Sequence, residues 1–112
     1  MTPVVSLDEL PQERAVCVLV HDEQIALVRT RDDVVHAVDN LDPVSGAMVM
    51  SRGIVGSRGD RDILVSPMHK QAYDLETGEC LDLPDVWLRV HRVQVRDGQV
   101  EVALAEDVRR PA

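Results

Sequence analysis

The 112-residue sequence has very few aromatic residues: it contains no Phe, one Trp and one Tyr, although 45% of its residues are hydrophobic. Val and other aliphatic residues must therefore form the core, and β-branched side chains pack well on the pleated surface of a sheet. A convincing long amphipathic helix is also absent from the pattern of apolar residues. The composition favours β-structure, and the length fits a single domain.

Basic residues are scarce as well, with 12 Lys and Arg against 20 Asp and Glu, for a formal net charge of −8. Nucleic-acid binding depends on Lys and Arg that neutralise phosphates, so this balance argues against a nucleic-acid partner. The sequence lacks an apolar run of membrane-spanning length and a signal-peptide pattern at its start. We therefore expect a cytoplasmic protein that binds neither nucleic acid nor a membrane.

Cys17 and Cys80 are the only cysteines, and they form no CxxC motif. The four histidines show no ligand spacing with them, so we expect two reduced thiols that pack as small buried hydrophobes. The P-loop, GxGxxG, HExxH and GxSxG motifs are missing. The residues by themselves thus offer no catalytic motif and predict no metal site.

Alternating apolar residues bounded by turn residues predict a series of short antiparallel strands at 15–20, 24–30, 34–39, 62–66 and 71–75. An additional edge strand is expected near the N-terminus, and the Gly-rich stretch 41–61 is predicted to be a loop with at most a short strand near 53–55. Asp97-Gly98 marks a type I′ hairpin turn between two alternating runs. The alternation slips beside His91, which predicts a bend or bulge there. The expected class is an all-β sandwich or barrel, one domain over 1–112 with a core of about 4–105 and a short tail, 106–112.

Two loop sequences carry a resemblance to a known family: "NLDPVSGA" at 40–47 and "SPMHKQAYDLETG" at 66–78. They resemble the loops of the Rieske-type ferredoxin domain, whose patterns are roughly N-x-C-x-H-x-x-A and C-P-x-H-G-x-x-F-D-x-x-T-G. In that family two Cys and two His from these loops hold a [2Fe–2S] cluster at one end of a β-sandwich. The resemblance implies the same fold and the same loop placement here.

Several scaffold positions of the two patterns are retained, namely Asn40, Ala47, Pro67, Tyr73, Asp74, Thr77 and Gly78. The four positions that match cluster ligands are Asp42, Val44, Ser66 and His69. Only the last keeps its ligand, and a carboxylate and a hydroxyl are poor substitutes for two thiolates on iron. Asp42 and His69 alone are also too few to predict a mononuclear metal site. The alignment therefore predicts the fold with no cluster, no metal and no other cofactor in this chain.

The ligand-free loops and the continuation "SRGIVG" resemble the small subunit of assimilatory NAD(P)H-dependent nitrite reductase over about 14–105. This resemblance implies a non-catalytic, non-redox accessory subunit of an enzyme that reduces nitrite to ammonia. Its partner would be the large catalytic subunit, which carries FAD, siroheme and an iron–sulfur cluster. A stand-alone binding or regulatory module and a Rieske-type electron-transfer ferredoxin are the alternatives.

Apolar residues cluster in or beside the two loops: Leu41, Pro43, Val44, Met48, Met50 and Met68. Methionine adapts to irregular surfaces and recurs at binding sites, but it also fills gaps in cores. The set therefore predicts either a docking surface for the large subunit or packing of the space that a cluster would fill. Arg52, Arg58 and Arg61 form a local basic spot on the Gly-rich loop. This spot predicts pairing with acidic groups of a partner, an approach to an anion such as nitrite, or a simply solvated loop.

Overall fold

The computed structural model describes residues 1–106, and in this range the regular structure consists of β-strands and two short 3-10 helices. The predicted all-β class is confirmed. The strands are β1 Thr2–Ser6, β2 Arg14–Val20, β3 Glu23–Arg29, β4 Val35–Asp39, β5 Ile54–Arg58, β6 Arg61–Val65, β7 Ala72–Asp74, β8 Val90–Arg96 and β9 Gln99–Ala103. The 3-10 helices are Leu7–Glu9 and Met50–Arg52.

All strand pairings are antiparallel and form two sheets. The larger sheet has the order β1-β9-β8-β4-β3-β2, and the smaller has the order β5-β6-β7. The outer strands of the larger sheet, β1 and β2, come back into contact, so this sheet forms a nearly closed barrel. Closure protects two strand edges that would otherwise present unpaired backbone groups.

Two apolar clusters form the core. One is enclosed by the larger sheet and includes Ile25, Leu27 and Val100, and the other lies between the two sheets and includes Met50 and Tyr73. All five side chains are fully buried. The second cluster places the strands that flank the two loops against one another, so core packing positions the loop end of the molecule.

Tight turns with positive φ close two of the hairpins. Asp97 and Gly98 have φ of 52° and 76° between β8 and β9, as the sequence predicts. His21 and Asp22 have φ of 48° and 68° between β2 and β3, without a Gly to signal the turn. Asp tolerates this left-handed conformation better than most residues, which is why the turn forms here.

The slip in alternation near His91 has a different cause from the predicted bulge. The pairing of β8 shows no register shift at this point, so a bulge there is wrong. Instead β8 changes partner: residues 90–91 pair with β4, and residues 92–96 pair with β9. A register shift occurs in β1, between Pro3 and Val5.

The remaining predictions for strands agree closely with the structure. The N-terminal edge strand is β1, and the short strand expected near 53–55 is β5, which forms a hairpin with β6. After β7 the chain forms only isolated bridges, between Tyr73 and Cys80 and between Glu79 and Trp87. The predicted tail lies outside the described residues except for Glu106. No helix in the described range 1–106 is long and apolar enough to span a membrane.

Candidate functional site

The two loops predicted from the family patterns meet at one end of the molecule. The first runs from Asn40, directly after β4, to the 3-10 helix Met50–Arg52, and the second connects β6 to β7. Asn40 is 2% exposed and anchors the first loop. Its Oδ1 accepts a hydrogen bond from the backbone N–H of Ser51 at 2.7 Å, and its Nδ2 donates to Oε1 of Gln24 at 2.9 Å. The residue is thus a structural support for the site.

Asp42 and Ser66, at the positions of the two cysteine ligands, are in direct contact. The Ser66 hydroxyl donates a hydrogen bond of 2.6 Å to Oδ2 of Asp42, and both residues are fully buried. Oδ1 of the same carboxylate accepts the backbone N–H groups of Val44 at 2.8 Å and of Ser45 at 3.3 Å. A buried hydrogen bond therefore joins the two loops at the point where the family pattern places its thiolates.

Hydrogen bonding sets the charge of this buried carboxyl group. Burial by itself raises the pKa of Asp42, because it disfavours the charged form. The hydrogen bonds from the Ser66 hydroxyl and from the backbone of Val44 and Ser45 outweigh burial and hold the pKa of Asp42 below its ordinary value. Asp42 is therefore an ionised acceptor at neutral pH.

The other two ligand positions lie on the surface. Val44 is 40% exposed and offers no donor atom, and His69 is exposed on the second loop. Within residues 1–106 there is no group of three or more His, Cys, Asp or Glu side chains arranged to hold a metal ion. A Rieske cluster needs two thiolates and two imidazoles, so this donor set does not fit it.

Tyr73 lies in the core beside this hydrogen-bonded pair. Its side chain is fully buried, and among the described residues its hydroxyl has no hydrogen-bond partner. Burial raises the pKa of Tyr73, and the negative charge of Asp42 raises it further. The phenol is therefore neutral, and it contributes mainly apolar area to the core.

The structure separates the apolar loop residues into two groups. Leu41, Val44, Met48 and Met68 have exposed fractions of 37%, 40%, 49% and 51%, and Pro43 is also exposed. We call these five residues the loop tip. Met50 is fully buried in the cluster between the sheets, where it fills space and presents no surface.

The two arginines of the Gly-rich loop also differ. Arg52 is exposed at the end of the 3-10 helix, with no ion pair to any described residue. Arg58 donates to Oδ1 of Asp82 at 3.1 Å, and Oδ2 of Asp82 accepts the backbone N–H of Ala72 at 2.7 Å. Arg58 therefore has an intramolecular partner close to the second loop.

A charged cluster beside the first loop is not signalled by the sequence. Arg89 Nε donates to both carboxylate oxygens of Asp39, at 3.0 and 3.1 Å, and its other nitrogens bind Glu23 and the carbonyl of Ala105. His91 is also hydrogen-bonded to Asp39, at 2.8 Å. Asp39 and Arg89 are fifty positions apart, so only the pairing of β4 with β8 brings them together. In the sequence, the only local sign that His91 is buried is the break beside it in the alternation of apolar and polar residues.

The cysteines confirm the prediction in part. Both are free, and Cys80 is buried as expected. The prediction is wrong for Cys17, which is exposed, because β2 is the outer strand of its sheet and residue 17 points outward. Its sulfur accepts a hydrogen bond from Asn40 Nδ2 at 3.7 Å.

Comparison with known proteins places this geometry in a family. The model of the Rieske-like [2Fe-2S] domain matches residues 1–103. The small subunit of the NADH nitrite reductase of Escherichia coli K12 is 31% identical over 100 residues, which cover 88% of this chain and 93% of that protein. A Mycobacterium tuberculosis structure, assigned as the small subunit of an NADH-dependent nitrite reductase, superposes with a TM-score of 0.89 at 47% identity. That match covers 95% of this chain and 96% of the other.

A further relative is a much longer protein. The large subunit of the NAD(P)H nitrite reductase of Klebsiella oxytoca is 38% identical over 99 residues, which are 88% of this chain but only 10% of that protein. The chain thus spans about a tenth of the length of this relative. The small-subunit matches, by contrast, extend over nearly the whole of both chains. The chain therefore belongs to the Rieske-like [2Fe-2S] domain family and, within it, to the small subunits of nitrite reductase.

Proposed function

We propose that this chain is a cluster-free, non-catalytic small subunit that docks through its loop tip on the large subunit of a cytoplasmic NAD(P)H-dependent nitrite reductase. The large subunit would carry FAD, siroheme and an iron–sulfur cluster and would convert nitrite to ammonia in nitrogen assimilation. The chain itself would contribute binding and no redox centre. The chain would form a single Rieske-like domain.

The observation that carries the cluster-free assignment is the buried contact between Asp42 and Ser66 at 2.6 Å. Ligation of iron would require both side chains to release this bond, and the carboxylate would also give up two backbone donors. Hard oxygen donors bind this sulfur-rich cluster poorly in any case. The two loops are thus joined by a hydrogen bond in the place where relatives with the full ligand pattern would join them through iron.

The loop tip supports the docking role. Its exposed residues are apolar and come from two loops that converge on one end of the molecule. An apolar patch surrounded by polar groups on an otherwise acidic protein is typical of a protein–protein interface. The charged groups beside it, Glu23, Asp39 and Arg89, give it such a rim.

The Klebsiella oxytoca relative supports the choice of partner. There a segment with 38% identity to this chain is part of the large-subunit polypeptide itself. A domain that is covalently part of the large subunit in one protein is a natural binding partner of the large subunit when it is a separate chain. This argues against a stand-alone module.

The test measures association of the purified chain with its own large subunit by isothermal titration calorimetry. Met68→Glu places one charge in the loop tip, away from Leu41 and Met48, and we expect its Kd to rise about tenfold, because a buried charge without a partner costs more than about 1 kcal/mol. Val34→Glu is the matched control. Val34 is 47% exposed, close to the 51% of Met68, and it directly precedes β4, at the opposite end of that strand from the loop tip. Circular dichroism and thermal melts verify that both variants fold.

Three results would contradict the proposal. Equal weakening by Val34→Glu would show that the loop tip is not the docking surface. A chain that purifies with iron, acid-labile sulfide and visible absorption would be an electron-transfer ferredoxin. A folded chain that shows no binding to the large subunit would be a stand-alone module.

A further inference from the structure

We propose that a cleft beside the loop tip receives a basic side chain, Lys or Arg, of the large subunit. This inference rests on the proposed function and adds the chemistry of the partner at one edge of the interface. It predicts a positively charged residue within an apolar patch on the large subunit. The argument comes from the shape, charge and rigidity of the cleft.

The cleft has a volume of about 200 Å³ and adjoins the first loop. Leu41 and Met48, which belong to the loop tip, form one wall and pair with each other through an isolated β-bridge. The β2–β3 turn and the ends of β4 and β8 form the rest of its lining, with Asp22, Glu23, Gln24, Asp39 and Arg89. The cleft is therefore amphipathic and continuous with the proposed docking surface.

The lining carries excess negative charge. Three carboxylates face one guanidinium, and Arg89 is already bonded to Asp39 and Glu23. Asp22 is exposed, and no described residue forms an ion pair with it. The nearby His91 is buried, and both of its ring nitrogens have hydrogen-bond partners, Nδ1 with the backbone N–H of Ala105 at 2.9 Å and Nε2 with Oδ1 of Asp39 at 2.8 Å. It therefore has no free ring nitrogen with which to pair with Asp22.

The cleft is rigid, which favours specific binding over loose attraction. Arg89 is held at several points, by two bonds to Asp39, one to Glu23 and one of 3.1 Å to the Ala105 carbonyl. The carboxylates of Asp39 and Glu23 are thereby fixed before any partner arrives. A preorganised site loses less entropy on binding.

A Lys or Arg side chain fits both halves of this lining. Its methylene stem packs on Leu41 and Met48, and its charged head meets the carboxylate of Asp22 at the cleft mouth. An acidic group would be repelled. A second copy of this chain is a poor occupant, because each copy carries a formal charge of −8 and the copies repel each other.

The test uses Asp22→Asn and Asp22→Lys in association kinetics with the large subunit, at about 20 mM and about 200 mM salt. Asn tolerates the φ of 68° at this turn position, so the first variant changes charge and little else. At low salt we expect the association rate to fall about threefold for Asp22→Asn and about tenfold for Asp22→Lys, with a weaker salt dependence.

Asp97→Asn and Asp97→Lys are matched controls. Asp97 is exposed and has φ of 52° in the same kind of hairpin turn. It lies at the far end of β8, about 20 Å from the cleft by the length of that strand. Both controls reduce the net negative charge by the same amounts as the corresponding Asp22 variants, so they correct for long-range attraction between the acidic chain and its partner. We expect their association rates to stay within about twofold of wild type.

The outcomes separate this inference from the proposed function. If Asp22→Lys and Asp97→Lys behave alike while Met68→Glu weakens binding about tenfold, the cleft proposal is overturned and the docking surface stands. If the wild-type chain forms a dimer by light scattering and Asp22→Lys abolishes it, the occupant is a second copy, and the proposal is again overturned. If wild type fails to bind the large subunit at all, the proposed function itself is wrong.

Discussion

Removing the buried carboxylate at the centre of the loop end is the most direct test of how this chain holds its two loops together. Asp42→Ala deletes an acceptor that takes three hydrogen bonds, from the Ser66 hydroxyl and from the backbone of Val44 and Ser45. All three donors would lose their partner. The serine hydroxyl would be left fully buried with nothing to donate to.

The cost follows from these contacts. A buried donor left without a partner costs about 1–3 kcal/mol, and the shorter bonds at 2.6 and 2.8 Å matter most. The mutant also avoids burying a charge, which offsets part of the loss. We expect Asp42→Ala to lower the free energy of unfolding by about 3 kcal/mol, or about 12 °C in Tm for a domain of this size. Asp42→Asn keeps the acceptor for the backbone N–H groups and should cost about 1 kcal/mol.

The pH dependence gives an independent check. Hydrogen bonds hold the pKa of Asp42 in the folded chain below its ordinary value of about 3.9. The unfolded chain therefore binds a proton at higher pH than the folded chain does. The stabilisation by this carboxylate is fully present above its ordinary pKa and is lost as the pH falls through the lowered, folded-state pKa. The stability difference between wild type and Asp42→Asn should accordingly shrink below about pH 4.

Urea unfolding followed by the fluorescence of Trp87, the only Trp, measures these differences. Ser66→Ala and the double mutant Asp42→Ala/Ser66→Ala complete a cycle, in which the double mutant should cost clearly less than the sum of the two single mutants. The reasoning is refuted if Asp42→Ala unfolds within about 0.5 kcal/mol of wild type. It is equally refuted if the difference between wild type and Asp42→Asn stays constant through pH 3.

Three further predictions concern single features of the fold. Tyr73→Phe removes a buried hydroxyl that has no hydrogen-bond partner among the described residues, so thermal melts should show equal or higher stability, by up to about 1 kcal/mol. Gly78→Ala adds a Cβ that would lie 2.0 Å from the Leu88 carbonyl oxygen at a φ of 85°, so urea unfolding should show a loss above about 3 kcal/mol, and unchanged stability would contradict this geometry. The variant Asp42→Cys/Val44→His/Ser66→Cys restores the family's ligands beside His69. It should take up iron and sulfide on reconstitution and absorb visible light, whereas the wild type stays colourless.

Local sequence patterns predict much of the fold. Alternation located the strands to within a few residues, because one face of each strand packs on the core and the other faces solvent. Asp97-Gly98 located the last hairpin, since both of its residues adopt positive φ readily. The break between the predicted strands 15–20 and 24–30 locates the turn at His21 and Asp22, although it does not indicate its conformation.

The replacement of three of the family's four ligand residues was also readable from the sequence. The resemblance to the family patterns places Asp42 and Ser66 on ligand positions by their spacing from Asn40 and Pro67. Their oxygen atoms are poorer donors to an iron–sulfur cluster than thiolates are. The contact between the two side chains at the former cysteine positions could not be read in the same way. The hydrogen bond between these two side chains joins positions that are 24 residues apart in two different loops.

The sequence by itself determined the class of fold, the position of the two loops and the absence of the family's ligands, because each depends on spacing or residue type within a short segment. Only the tertiary structure decided that Met50 fills the core while Met48 and Met68 are exposed, since three similar side chains differ only in which way the backbone points them. It alone also brought Asp39 to Arg89, through the pairing of β4 with β8. Contacts between distant segments depend on how sheets pack, and local periodicity carries no information about that packing.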